Sequence, residues 1–491
     1  MPNRGLGESP TVLRKSSRLL KRARNVQPVN RGTIALFVIL ALAPGEAFAQ
    51  DAGAAAGTDG VVAGPVVRES VPDASLTTQG AETARPDART VELEWRLSRL
   101  EAEIAARKVA DQAAQEAARK KPKLISAEPG KGITIQDEKG RSSMTIRPRV
   151  QIRDTVSKDK GADATNEINV RTLRFVVFGT VLDPALKYFV QLAFGSGDYE
   201  KDNASPIFDA FIESTHIRDL NVRVGQFFVP FDRARTTREF GLQFVDRQNV
   251  VRELSLDRDV GIMFSSNDFL GQKGRLGYHL FAGGGEGRNR FGGQKVGPLV
   301  VGRLVARPFG PFDDDLEGDL TRDKRARLAV GVAGAYNSET NRPSSTFGTP
   351  FTLGTTNYAH AAVDAVFKLR GFSFFAEALY RRANTDHLDG VVDTKPVREW
   401  TRTGYGYFTQ AGMMVEKRVE IVARWEQLFV DTTSDPAFLK TQRTLGKQVG
   451  GGANLYLNGH FFKIQADYFY QFGDHPSDGR HVARLQLDAT F

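Results

Sequence analysis

The sequence predicts an all-β protein, a transmembrane antiparallel β-barrel of about sixteen strands with a short N-terminal coiled-coil helix, and three observations carry that prediction. Apolar and polar residues alternate with period two, segment after segment, from 143 to 491. The connections between these segments are short and long by turns, and the final segment alternates to the last residue, a phenylalanine. A wall between lipid and water needs period two, and only a closed sheet satisfies every backbone group inside a bilayer.

The composition narrows the alternatives. The chain has 491 residues, 33 phenylalanines, 48 glycines and no cysteine, which excludes disulfide scaffolds and thiolate metal sites. Beyond the first fifty residues no apolar run approaches the roughly 18 residues of a membrane helix. A barrel passes that test because its strands are individually weak signals. The formal charge is +9, but residues 1–49 hold eight basic and two acidic residues, so the remainder carries only +3. A balance that mild gives no support to nucleic-acid binding.

The N-terminal elements follow in order. A basic stretch precedes the apolar run 34–43, and Ala47 and Ala49 flank Phe48 in a small-x-small cleavage pattern, so 1–49 reads as a secretory signal peptide with Gln50 next. Residues 50–90 are mostly Ala, Gly, Pro, Asp and Val without periodicity and read as a disordered linker. In 91–121, Leu93, Leu97, Leu100 and Ile104 recur at steps of four and three amid Glu and Arg, a coiled-coil seam that implies self-association. Residues 122–142 form a connector or hairpin, and 143–491 the barrel.

Strands are expected near 143–154, 170–182, 186–195, 206–216, 220–228, 258–267, 274–284, 298–307, 326–336, 358–368, 371–381, 403–413, 417–428, 446–458, 460–471 and 481–491. In one of them Tyr188, Val190, Leu192 and Phe194 alternate with Lys187, Phe189, Gln191 and Ala193. One connection breaks the short–long order: 308–325 falls on the short-turn side yet is long and acidic, so either it is an insertion or the count is off by a hairpin. In the last strand Leu485, Leu487 and Phe491 share a face, the pattern that outer-membrane assembly machinery reads.

Several collinear motifs, RTLRF (171–175), DAFIE (209–213), VRVGQFFVPF (222–231), FVDRQ (244–248) and RDVGIMF (258–264), resemble the phosphate-selective porin O and P family. RLVARPF (303–309), GYGYFTQAG (404–412), VEIVARWE (419–426) and LYLNGH (455–460) look like its later strands, so the resemblance covers 143–491. It implies a homotrimeric barrel in outer-membrane lipid of a bacterial cell, an inward-folded third loop, and a pore whose arginines and lysines select small anionic solutes such as phosphate.

The residues suggest where such selection would reside. Arg147, Arg149 and Arg153 share parity with Thr145 and Gln151 against Met144, Ile146, Val150 and Ile152, which puts the arginines on the lumen face if the others face lipid. Arg174 has the same parity, and Arg303 with Arg307 forms another candidate pair. Arginine stays charged and its planar fork fits oxyanions. The segment 229–257 is the third long loop and carries Arg233, Arg235, Arg238, Arg247 and Arg252 as constriction candidates. Such cations in a low-dielectric gap would favour anions, whereas acids facing them across it would leave an unselective general pore. No nucleophile elbow, H-E-x-x-H, P-loop or paired-ligand spacing occurs, so neither catalysis nor a cofactor nor a metal is expected. An envelope-tethering or adhesive role for the coiled coil is the remaining alternative.

Overall fold

The computed structural model describes residues 88–120, 124–195, 198, 205–290 and 297–491. The expected signal peptide and nearly all of the expected linker lie outside these residues. Helix α1 (Ala88–Lys120) begins before residue 91 because Ala88 and Arg89 are good helix formers. Along it Leu93, Leu97, Leu100 and Ile104 are exposed, and Arg96 donates to Glu92 one turn earlier at 2.7 Å.

A hairpin of β1 (Ile125–Glu128) and β2 (Gly132–Gln136) leads into the barrel. The first eight wall strands are β3 (Ser143–Asp159), β4 (Thr165–Val181), β5 (Asp183–Ala193), β6 (Ile207–Ile217), β7 (Leu220–Phe228), β8 (Arg258–Ser266), β9 (Leu276–Gly283) and β10 (Leu299–Ala306). Next come β11 (Arg327–Thr340), β12 (Thr356–Leu369) and β13 (Phe372–Ala383). A separate two-stranded ribbon, β14 (His387–Val392) with β15 (Lys395–Trp400), stands in the following loop. The wall resumes with β16 (Gly404–Met414), β17 (Val419–Val430), β18 (Lys447–Asn458), β19 (Phe462–Phe472) and β20 (Arg480–Thr490). Each wall strand pairs antiparallel with the next, and β20 closes on β3 from Arg480↔Asp159 to Thr490↔Arg149, giving a closed barrel of sixteen strands.

Below Arg149 the edge of β3 is taken over by β2, from Ile133↔Ile146 to Gln136↔Ser143. The hairpin thus prolongs the wall beyond the last β20–β3 pair and covers an edge of β3 that would otherwise be open. Short turns at this end use left-handed residues, such as Leu182, Asp219 and Gly459, to reverse direction between adjacent strands.

Side-chain placement inverts that of a soluble protein. Along β12, His360, Asp364 and Lys368 are buried in the interior while Val363 is half exposed on the outside. Along β17, Glu420, Arg424 and Glu426 are buried and Ile421 is exposed; along β19, Lys463 and Asp467 are buried and Tyr468 is exposed. An apolar exterior enclosing ionised side chains is unstable in water and stable in a bilayer. Tyr336, Tyr380, Tyr405, Tyr407 and Tyr468 lie exposed toward the long-loop ends of their strands, where an aromatic girdle meets the lipid headgroups. No described helix is long and apolar enough to cross a membrane.

Segment 308–325 is an insertion, so the strand count stands without an extra hairpin. Strands β3 and β4 run farther than the alternation suggests, to Asp159 and from Thr165, because a polar tip such as Ser157 with Thr165 can pair above the lipid where period-two hydrophobicity is not required.

Candidate functional site: a lumen narrowed from both ends

The loop 229–257 folds into the barrel. It contains α2 (Arg233–Thr236), a 3-10 turn at Glu239–Gly241 and α3 (Asn249–Leu254). Asp232 caps α2 by accepting from Arg235 N at 2.7 Å. Val250, Val251 and Leu254 of α3 are fully buried in a cluster with Phe375, Leu379, Phe408 and Leu428 of the inner wall. Burial of each such side chain contributes about 1.5–3 kcal/mol, so the loop is fixed to the β13–β17 side of the lumen.

Wall carboxylates complete the docking. Glu377 accepts from the backbone N–H groups of Arg233 and Ala234 at 3.0 Å each, at the start of α2. Glu426 accepts from Val250 N at 3.2 Å and Asp467 from Val245 N at 3.0 Å. Backbone donors without helical partners are thereby satisfied inside the lumen.

The acidic insertion enters from the opposite end and meets the loop. Glu317 accepts from Gln243 N at 2.7 Å and donates its own N–H to the Gly241 carbonyl at 3.0 Å. Asp314 pairs with Arg233 at 2.7 Å and with Arg307 at 3.0 Å. Lys368 donates to the carbonyls of Asp313 and Leu316 at 2.8 and 2.7 Å, and Asp319 accepts from Gly371 N at 2.7 Å. This accounts for an acidic run on the short-turn side: its carboxylates serve cations and donors of the interior.

All six wall arginines named from parity point inward, but five are held by carboxylates. Arg149 forms a two-point contact with Asp488 (2.9 and 2.7 Å) and reaches Glu239 at 3.5 Å. Arg153 meets Asp246 at 3.0 Å, and Arg174 meets Asp198 at 2.7 Å and Glu239 at 3.3 Å. Arg303 pairs with Asp364 and Arg307 with Asp314. In the loop, Arg233 bridges Asp314 and Asp364, Arg235 meets Asp257 at 2.9 Å, and Arg247 donates to the carbonyls of Ala234 and Thr237. Arg252 is exposed at the end of α3. The loop acids thus touch the wall arginines directly instead of facing them across a gap. Burial would raise the carboxyl of Glu239, but Arg174 and Arg149 hold it below the usual carboxylate range.

Arg147, Lys187 and Arg238 have no ion pair among the described residues. Arg238 is exposed and overhangs the Phe189 ring at 5.2 Å; Arg147 overhangs Phe178 at 5.0 Å. All three line a cavity of about 1050 Å³ on the β3–β10 side. It reaches from Asn221 and Asp268 at the short-turn end to Asp209 and Arg258 beside the long-loop end, and eleven basic side chains against seven acidic ones border it. A smaller cavity of about 410 Å³ lies between the insertion and Lys368. The cavity-lining cations that parity did not single out are Lys187, Arg223 and Arg258; the first two share a strand face with lumen residues such as Gln191 and Phe227, a signal present in the alternation.

A barrel wall with an apolar exterior and a charged, partly filled lumen defines a membrane-spanning barrel. No protein-family model matches the sequence, and no curated protein does. Among solved structures the chain is similar to Salmonella typhi OmpF in complex with daunomycin, at 13% identity and TM-score 0.48, over 71% of this chain and 98% of that one. It is similar to the anion-selective porin from Comamonas acidovorans at 12% identity and TM-score 0.46, over 72% and 100%. Pseudomonas putida OprB follows at 10% identity and TM-score 0.48, over 71% and 94%.

Proposed function

We propose that the chain is a porin of the bacterial outer membrane, a passive channel for small anions, with phosphate and related oxyanions among its solutes. The observation that carries this reading is the excess of basic side chains along the β3–β10 cavity, in particular the unpaired Arg147, Lys187 and Arg238. A cation without a carboxylate partner, in a narrow space with low-dielectric walls, raises the local concentration of anions. Conduction requires that each such cation bind the solute weakly enough to release it. Leu485 and Leu487 are exposed on the outer face of β20 and Phe491 follows it, which suits recognition by the assembly machinery. Three copies in the membrane, with the exposed leucine stripe of α1 as a seam between them, complete the proposal.

The reversal potential of reconstituted channels in a tenfold potassium chloride gradient tests it. Anion preference is expected, and a cation-preferring channel would overturn the reading. The pairing of five wall arginines favours a second reading, an unselective pore, for which the same measurement gives a potential near zero.

A further inference from the structure

The lumen carries a ribbon of phenylalanines across five wall strands. Phe178 of β4 and Phe189 of β5 lie 6.2 Å apart between ring centroids, Phe189 and Phe211 of β6 5.3 Å, Phe211 and Phe227 of β7 5.8 Å, and Phe227 and Phe281 of β9 5.6 Å. The register places them on the inner face: Phe178 pairs with Phe189, Phe189 with Phe211, and each shares its strand face with a charged lumen residue, Arg174, Lys187 and Glu213 respectively. Phe227 and Phe281 are buried, whereas Phe178, Phe189 and Phe211 are only half-buried, and Phe189 and Phe211 line the cavity on the β3–β10 side. Cations line the same ribbon: Arg147 over Phe178, Arg238 over Phe189, and Arg223 over Phe211 at 4.3 Å.

Wetting phenyl surface inside a channel costs free energy, and a strongly hydrated oxyanion recovers none of it. A solute with an apolar ring and a carboxylate recovers both parts, the ring along the phenyl ribbon and the carboxylate at an unpaired cation within one side-chain length. We propose that the β3–β10 pathway favours aromatic carboxylates over small hydrated anions. This rests on the anion-channel reading and names the solute class for it. A tenfold discrimination corresponds to about 1.4 kcal/mol, within reach of one or two ring-on-ring contacts.

The experiment is a titration of chloride current through the intact channel with benzoate, acetate and inorganic phosphate in turn. Benzoate should reduce the current at a half-effective concentration about tenfold below those of acetate and phosphate. In the double variant Phe189→Leu, Phe211→Leu, which keeps apolar volume and removes the rings, the gap should shrink while the chloride reversal potential stays unchanged. Equal half-effective concentrations for benzoate and acetate in the natural chain would overturn the inference, whether or not the variant assembles, as would a gap that persists undiminished in the variant. The chloride reversal potential, read before any organic anion is added, reports separately on the anion-channel reading.

Discussion

Asp364 shows how strongly the lumen depends on single charges. It is fully buried on β12, accepts from Arg233 at 2.6 Å and pairs with Arg303, one a loop residue and the other a wall residue. Asp364→Asn removes the counter-ion of two buried guanidinium groups, a change that costs about 3–5 kcal/mol when a buried pair is broken from one side. The variant should unfold at a lower denaturant concentration in detergent, and an unchanged midpoint would contradict the pairing. Arg147, Lys187 and Arg238 lack such partners among the described residues, so on the proposed reading their replacement should act on solute and not on fold. Arg238→Gln together with Lys187→Gln should lower the chloride-to-potassium permeability ratio by about fivefold, corresponding to ~1 kcal/mol at 4 Å in water, with the unfolding midpoint unchanged. These two classes of arginine were not separable in the sequence: parity places Arg147, Arg149 and Arg153 alike on the lumen face, while Asp488 and Asp246 lie hundreds of positions away for the one and in a loop for the other.

At the scale of elements, the lumen is shaped by two segments that meet within it. The apolar face of α3 and the wall carboxylates hold the loop, so Leu254→Asp, which buries an unpaired charge in that cluster, should release it and raise single-channel conductance. An unchanged conductance in a correctly inserted variant would contradict the docking. Glu239 and Asp246 are carboxylates whose folded-state acidities are strengthened by Arg174 and Arg149 and by Arg484 and Arg153, against the opposing effect of burial. Their contribution is therefore complete above the ordinary carboxylate range and is lost only as pH falls through their lower folded values. The double variant Glu239→Gln, Asp246→Asn should therefore show the same dependence of conductance on pH between 7 and about 4 as the natural chain, and a step present in the natural chain but missing from the variant would contradict this assignment. The sixteen wall strands were legible because lipid on one side and water on the other impose period two on every one of them. The β14–β15 ribbon and the helix α4 (Pro436–Leu445), capped by Asp435, were not, since they stand in long loops under no such constraint. The acidic run of 308–325 was visible as an anomaly, but its partners Gln243, Arg233 and Lys368 are brought to it only by closure of the barrel.

The whole molecule divides its interior in two. Phenylalanines, leucines and valines of the loop and of β13–β17 fill one side, and the cavity bordered by Arg147, Lys187 and Arg238 occupies the other. Residues of one parity face lipid and those of the other face the lumen. The absence of native cysteine makes a direct measurement possible, the current of reconstituted channels before and after a charged thiol reagent. Lys187 lines the cavity while Val190 shares the outward face of the same strand. The reagent should alter the current of the Lys187→Cys channel and leave that of the Val190→Cys channel unchanged. Modification of the second and not the first would contradict this placement.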